Sequence, residues 1–468
     1  MDNLIVKCVR RCLAVVVAAA IFASCSKDDA PWLSLGPGAI LVKTPGGTGT
    51  LEFTASDIMS VSVTDIPEGW TLTADMATMT LTAQAPAKIG DGEGAESGTA
   101  TVIGRAPDGG AVTQELFVSV ADAVDLGSVQ SNCFIVSQPN TNYTFDAMTK
   151  GESGGPIATR DVRIVWQTET ELIRYCEFAN GKYSFYVGAE DGGVKEGNVL
   201  VGAYDAAGAL LWTWHIWIVD ADDVGEQTYA NGKTFMSLNL GALGNTNATN
   251  DEILASFGLF YQWGRRVPFV GPASYDAARG TDHAMYDADG IRVTIEYVRS
   301  DAGTGTADYA SSHPLSFILG VEESAYDWLY AAHSDELWGR TKTENDPCPK
   351  GWRVPSAEDF AGLEIVDKAA GTEAMYGWTL TDGTATAFYP AAGFRTYLTG
   401  GIQNLYSPET GVEVPKPWMG YYWTSGTDAL DASAMIFWFD ASDAARSGFE
   451  PSSPYHRAGG MQIRCVKE

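Results

Sequence analysis

The chain has 468 residues, 45% of them hydrophobic and 19% charged, with 51 glycines, 14 tryptophans and 20 tyrosines; this is too long for one core and favours β-rich folded domains over disorder. Its net charge of −29 repels nucleic-acid phosphates and leaves no basic stripe to offset the repulsion, so nucleic acid is excluded as a partner. The acidity suits a secreted protein and is compatible with calcium without selecting it, and no other cofactor is indicated.

Residues 1–24 read as a secretory signal. Lys7, Arg10 and Arg11 precede an apolar run from Leu13 to Phe22 that is too short to span a bilayer as a helix. Ala23 and Ser24 lead to Cys25, and "IFASC" resembles a lipobox, in which cleavage precedes a cysteine that carries lipid; Phe22 stands where leucine is usual. The polar stretch 25–30 reads as a flexible tether, and its Lys-Asp-Asp resembles the surface-export signal of Bacteroidota lipoproteins, which the chain as a whole also resembles. The resemblance implies lipidation at Cys25, the outer membrane as a partner through that lipid, and display at the cell surface.

Residues 31–123 alternate apolar and polar positions between Gly, Pro and Asp turns: Leu51 with Phe53, Val61 with Val63, and Leu116 with Val118 and Val120 each place one face inward. This is a β-sandwich pattern, and the "PEGW" turn at Trp70 followed by "LTAQAP" and "GTATV" resembles the immunoglobulin-like modules near the amino terminus of such lipoproteins. Residues 124–222 read as a second immunoglobulin-like β-sandwich closed by the hairpin "GNVLVGAYDAAGALLWTWHIWIVD". Trp212 and Trp214 should share one face with Trp217 on the other, which favours core or interface packing over sugar stacking. His215 has no second ligand at metal spacing and reads as an exposed or hydrogen-bonded strand residue.

Residues 223–468 carry the ordered blocks "ASFGLFYQWGRRVPF", "NDPCPKGWRVPSAEDFAGL", "FYPAAGFRT", "GYYWTSG" and "AGGMQIRCVKE". In this order they resemble the Fibrobacter succinogenes major paralogous domain, and the "PCPKGWRVPS" and terminal "IRCV" segments are similar to the C-type-lectin-like fold of formylglycine-generating enzymes. The expected fold is therefore multidomain: two amino-terminal immunoglobulin-like β-sandwiches followed by an α+β C-type-lectin-like domain. Pro347, Pro349 and Pro355 stiffen the loop around Cys348 and Gly351, and Ser356 caps a short acidic helix.

Of seven cysteines, Cys8, Cys12 and Cys25 belong to the signal or its end, leaving Cys133, Cys176, Cys348 and Cys465. There is no CxxC, so no zinc knuckle is read, and pairing within each proposed domain favours Cys348 with Cys465 and Cys133 with Cys176. His283, His313, His333 and His456 form no catalytic or metal motif and read as isolated surface residues, while "DADG" and "DADD" lack the glutamate that completes a calcium loop. No metal site and no catalytic residue is assigned. The candidate ligand contacts are Arg395, Tyr397, Trp418 and Tyr421, in segments that the fold resemblance places among variable loops; Trp418, Tyr421, Tyr422 and Trp423 are too many aromatics for all to be core, and the competing reading makes "YYWTSG" a buried strand with only the Pro417–Trp418 turn exposed. The expectation is a surface lipoprotein that presents an adhesive or ligand-binding carboxyl-terminal domain for a glycan or protein ligand, as an accessory or tip subunit of a surface assembly. The alternative is an enzyme of formylglycine-generating or glycan-processing type.

Overall fold

The computed structural model describes residues 30–36, 38–89, 94–120, 123–127, 131–151, 154–190, 193–272, 275–276, 281–282, 285–331, 333–366, 377–403, 419–428, 431–438 and 448–468. Cys25, His283 and Trp418 lie outside these residues. The chain divides after Ala123 into two compact units, with the short stretch Asn140–Asn142 grouped with the first.

The first unit is a β-sandwich, in agreement with the alternation read from its sequence. One sheet runs Ala39–Val42, Ala111–Val120, Ser97–Arg105, Ser60–Thr64, the first pair parallel and the others antiparallel. The other runs Thr48–Glu52, Thr80–Gln84, Thr71–Asp75. Between them Phe53, Leu72, Leu81, Val102, Leu116 and Val118 form the core, and Trp70 closes one end with its indole N–H donated to the Ala95 carbonyl at 2.8 Å.

The second unit begins with another sandwich. Cys133–Val136, Leu210–Ile218, Gly197–Tyr204 and Asp161–Gln167 are successive neighbours in one sheet. In the facing sheet Thr141–Asp146, Lys182–Val187 and Ile173–Ala179 are successive neighbours. The expected hairpin is present, Gly197–Tyr204 pairing antiparallel with Leu210–Ile218. Trp212 and Trp214 enter the sandwich core with Phe145 and Val201, while Trp217 points the other way.

That other face is not solvated. Cys133, Leu200, Trp217 and Val219 share a continuous core with Leu238, Leu259, Phe260, Trp263, Phe317 and Trp423 of the carboxyl-terminal region. A bulge at Val165 shifts register between Ile164 and Trp166, so Ile164 faces the sandwich core and Trp166 the shared one. Hence every residue of Gly197–Ala203 is buried, the signature of a sheet covered on both sides rather than of a free-standing spacer.

The carboxyl-terminal region is built of short sheets with few helices. Its opening and closing strands lie together: Thr234–Met236 pairs with Val466–Lys467, which also pairs with Trp352–Arg353. Cys348 and Cys465, 117 residues apart, are bonded beside this sheet. The loop between Asp346 and Val354 is folded around a buried ion pair. Lys342 reaches Asp346 at 3.2 Å and donates to the carbonyls of Cys348 and Trp352 at 2.7 and 2.6 Å, while the Asp346 carboxylate accepts the backbone N–H groups of Cys348 and Val354, both at 2.9 Å. The acidic helix is one 3-10 turn, Ala357–Phe360, in which Asp359 accepts the Ser356 backbone N–H at 2.7 Å and is held by Arg353 at 2.8 Å.

Cys133 and Cys176 are both free thiols, correcting the expected second disulfide. They sit in opposite sheets. Cys133 faces away from the sandwich interior into the shared core, whereas Cys176 packs against the sandwich core from the other sheet, so common membership of one sandwich does not bring them face to face.

Candidate ligand-binding face

The four candidate contacts from the sequence separate by burial. Arg395 is 0% exposed: its guanidinium donates to the carbonyls of Val270 and Gly400 at 2.9 and 3.0 Å and to the Tyr297 hydroxyl at 3.1 Å. That is a loop-bracing role, and the surface-ligand assignment is corrected. Tyr421 is 5% exposed and is likewise corrected. Its strand, Met419–Asp428, is covered on both faces: Tyr421 and Trp423 enter the shared core while Tyr422 enters a second core with Phe235, Trp378 and Phe437. All three aromatics are therefore core, as the buried-strand reading of "YYWTSG" has it, and the expectation that not all four aromatics are core turns on Trp418. Trp418 lies outside the described residues. Tyr397 is half-buried and stands on a surface that the sequence did not outline.

Three segments far apart in the chain form that surface. The turn Val321–Asp327 presents Tyr326, the turn Thr396–Gly401 presents Tyr397 and Leu398, and the end of strand Gly448–Tyr455 presents Tyr455 and His456. Tyr397 meets His456 edge-on at 4.3 Å between ring centres, and Tyr326 lies 4.9 Å from His456 and 5.1 Å from Tyr397. Tyr326, Tyr397, Tyr455 and His456 are half-buried, Leu398 is 53% exposed and Tyr297 41% exposed. The Tyr297 ring occupies the place a Cβ at Gly400 would take, 2.0 Å from that virtual atom, so glycine there is what lets the ring lie on the turn.

The backbone under Tyr326 is strained. Ala325 and Tyr326 adopt φ of +48° and +58°, a left-handed pair without a glycine, locked because the Tyr326 N–H donates to the Val321 carbonyl at 2.8 Å and the Ala458 N–H to the Tyr326 carbonyl at 3.2 Å. Gly320 permits the approach, since a Cβ there would stand 2.7 Å from the Tyr326 carbonyl oxygen. Such strain persists only where surrounding contacts over-determine it, and it concentrates at functional surfaces.

His333 and His456 are each paired with a carboxylate, so they are not the isolated histidines expected. His456 Nδ1 is 2.8 Å from Asp431; the register Ala432↔Tyr455 places these two residues opposite each other at the next step of the ladder. His333 Nδ1 is 2.6 Å from Asp327, a carboxylate 1% exposed whose pKa burial pushes up against the pull of the Leu329 N–H, His333 and Arg457. With each Nδ1 committed, further hydrogen bonding passes through Nε2. Burial, with Tyr421 and Tyr397 alongside, also pushes the Tyr455 hydroxyl up, so it keeps its proton. The face offers apolar ring surface bordered by oriented polar groups, the combination that grips a saccharide ring through its C–H groups and hydroxyls.

A second constellation has catalytic geometry and no access. His215 Nδ1 lies 3.3 Å from the Cys133 sulfur and its Nε2 2.9 Å from the Asn198 Oδ1, a thiol–imidazole–amide order familiar from cysteine nucleophiles. The parallel register Cys133↔His215 creates it. Burial pushes the Cys133 thiol up and the imidazole down to about 3, which holds the neutral pair and disfavours the thiolate. Asn198 donates in turn to the Gly241 carbonyl at 2.9 Å, so the chain of bonds ties the sandwich to the carboxyl-terminal region. His215 is hydrogen-bonded as expected, but buried. Among the described residues no cluster of His, Cys, Asp and Glu is arranged to hold a metal ion, and no helix is long and apolar enough to cross a membrane.

No family model matches the chain, and no curated protein matches it significantly. Solved structures give partial likeness only. The D00–D0 domain of intimin is 14% identical with a TM-score of 0.18, over 41% of this chain and all of that one. An endo-fucoidan hydrolase of glycoside hydrolase family 107, MfFcnA9, is 14% identical with a TM-score of 0.17, over 40% of this chain and 34% of that one, so the chain spans about a third of its length. A Bacteroides ovatus SGBP-B of a mixed-linkage glucan utilization locus, in complex with a mixed-linkage heptasaccharide, is 11% identical with a TM-score of 0.13, over 42% of this chain and 46% of that one.

Proposed function

We propose that the chain is a lipid-anchored surface protein, held through Cys25, whose second unit binds a glycan on the face formed by Tyr326, Tyr397, Tyr455 and His456. The observation that carries the reading is the convergence of these half-exposed rings, from three distant segments, over a strained and over-determined turn. Binding is favoured over turnover because the constellation closest to a catalytic one, Cys133 with His215 and Asn198, is sealed in a core and held neutral. A C-type-lectin-like organisation of residues 223–468, and kinship with the Fibrobacter major paralogous domain, are part of the proposal. The pairing of the region's opening and closing strands and the Cys348–Cys465 bond support it.

A glycan array probed with the chain from Cys25 onward tests the binding: selective retention of a glycan class is expected, and a blank array across dietary and host glycans contradicts it. Protease treatment of intact cells tests the display. Digestion before the outer membrane is broken is expected, and protection contradicts surface exposure.

A further inference from the structure

The first unit has two ends, and the chain enters at one of them. Trp32–Ser34 pairs antiparallel with Thr54–Ser56, Trp32 opposite Ser56, and the turn 57–59 then leads into Ser60–Thr64, so Trp32 and Met59 share an end. Ser60 lies opposite Arg105 and Arg105 opposite Ala111, while Thr80 lies opposite both Glu52 and Asp75; these registers bring the turns 106–110 and 76–79 to the same end. Thr64 opposite Thr101, and Ser97 opposite Ser119, mark the other end, where the turn 65–70 sits and the strand Ala111–Val120 finishes.

Among the described residues of this unit, the large apolar side chains left exposed are Trp32 at 41%, Met59 at 67% and Ile66 at 39%. Trp32 and Met59 stand at the entry end, where Ile58, Met76 and Met79 are half-buried; Ile66 stands at the far end. Exposed charges at the entry end are Glu52, Asp57, Asp75 and Asp108 against Arg105. An anionic surface is repelled there and an uncharged one is not.

Reach decides which end can meet a membrane. Seven peptide steps separate Cys25 from Trp32 and span at most about 25 Å when fully extended. The strand Ala111–Val120 alone is about 30 Å long, so a lipid on Cys25 keeps the entry end close to the bilayer and cannot let the chain double back to seat the far end. An indole settles at the boundary of headgroups and acyl chains, with its apolar body in lipid and its N–H in water.

We infer that the entry end of the first unit is a membrane-contact surface, with Trp32 and Met59 seated among uncharged lipid headgroups. The contact rests on the lipid anchor at Cys25 and is independent of the aromatic face.

The lipidated full chain, reconstituted in phosphatidylcholine vesicles, tests this. Met59→Cys and Ile66→Cys, each in a Cys176→Ser background, carry a nitrobenzoxadiazole label whose fluorescence rises in an apolar setting. The label at 59 should brighten roughly twofold or more and be quenched by spin-labelled lipid, and the label at 66 should do neither. Trp32→Ser should remove about half or more of the response at 59. Equal responses at 59 and 66 in a lipidated chain overturn the contact. A response at 59 undiminished by Trp32→Ser overturns the role of Trp32, and a larger response on phosphatidylglycerol overturns the headgroup preference. The mass of the amino-terminal peptide separates these outcomes from failure of the anchor: a Cys25 peptide without lipid overturns the anchor, and the contact with it. If Trp32→Ser fails to fold, the comparison of 59 with 66, which leaves Trp32 in place, decides.

Discussion

At the scale of the residue, His215 is the most consequential titratable group in the second unit. Its two bonds fix its tautomer: the Asn198 oxygen accepts from Nε2–H, leaving Nδ1 to accept from the Cys133 thiol. Because burial lowers its pKa from 6.5 to about 3, the folded state takes up this proton less readily than the unfolded chain. The associated stability is full above the unfolded value and drains away as pH falls from about 6.5 toward 3, by on the order of 4 kcal/mol. Denaturation midpoints measured across that window should fall for the wild-type chain and fall less for His215→Gln, which has no proton to gain; parallel curves contradict the assignment. Asp327, raised by burial, works in the opposite sense, its penalty easing as pH drops. Asn198→Ala leaves the His215 N–H and the Gly241 carbonyl unpaired in a core and should cost roughly 2 to 4 kcal/mol.

At the scale of the element, the carboxyl terminus is secured twice, by the pairing of Val466–Lys467 with two strands and by the Cys348–Cys465 bond. A loop of that length contributes roughly 4 to 5 kcal/mol in the chain-entropy account. Replacing both cysteines by alanine should lower the unfolding midpoint of the second unit and leave the first unchanged, a difference that calorimetry reads directly; a shared shift contradicts the division. Lys342→Met should cost a further few kcal/mol by stranding the buried Asp346 carboxylate.

Elements whose pattern is local were legible in the sequence. The hairpin of Gly197–Tyr204 with Leu210–Ile218 follows from alternation around a short turn, and the split of Trp212 and Trp214 from Trp217 follows from the two-residue period. Errors arose where the answer depends on what covers a face. Cys133 and Cys176 share a sandwich but lie in opposite sheets, and Tyr421, expected at a ligand, is buried because both faces of its strand are covered. Tyr326 and His456 stand 130 residues apart, so no motif announces their contact; the nearest signal is the Gly320 that permits the turn beneath.

At the scale of the whole molecule, the second sandwich is part of the body that carries the candidate face and not a separate stalk segment. Trp166, Leu200 and Trp217 would be laid open by cutting after Asp222, a loss of several kcal/mol of burial at about 25 cal/mol per Å². Residues 31–123 should fold when expressed alone, whereas 124–222 should aggregate or remain partly unfolded; a cooperative, monomeric 124–222 fragment contradicts the shared core. The same reasoning makes deletion of residues 223–468 a poor probe of binding, since it also exposes that core.

Point substitution on the face is cleaner. The decisive measurement compares glycan binding by the wild-type chain with that of Tyr397→Ala and His456→Ala, after checking that each unfolds with the wild-type midpoint. Both rings are half-exposed, and stacking on one ring face is worth about 1 kcal/mol or more, so each variant should bind its best glycan at least several-fold more weakly and the double variant not at all. Undiminished binding by the folded double variant would contradict the placement of the site.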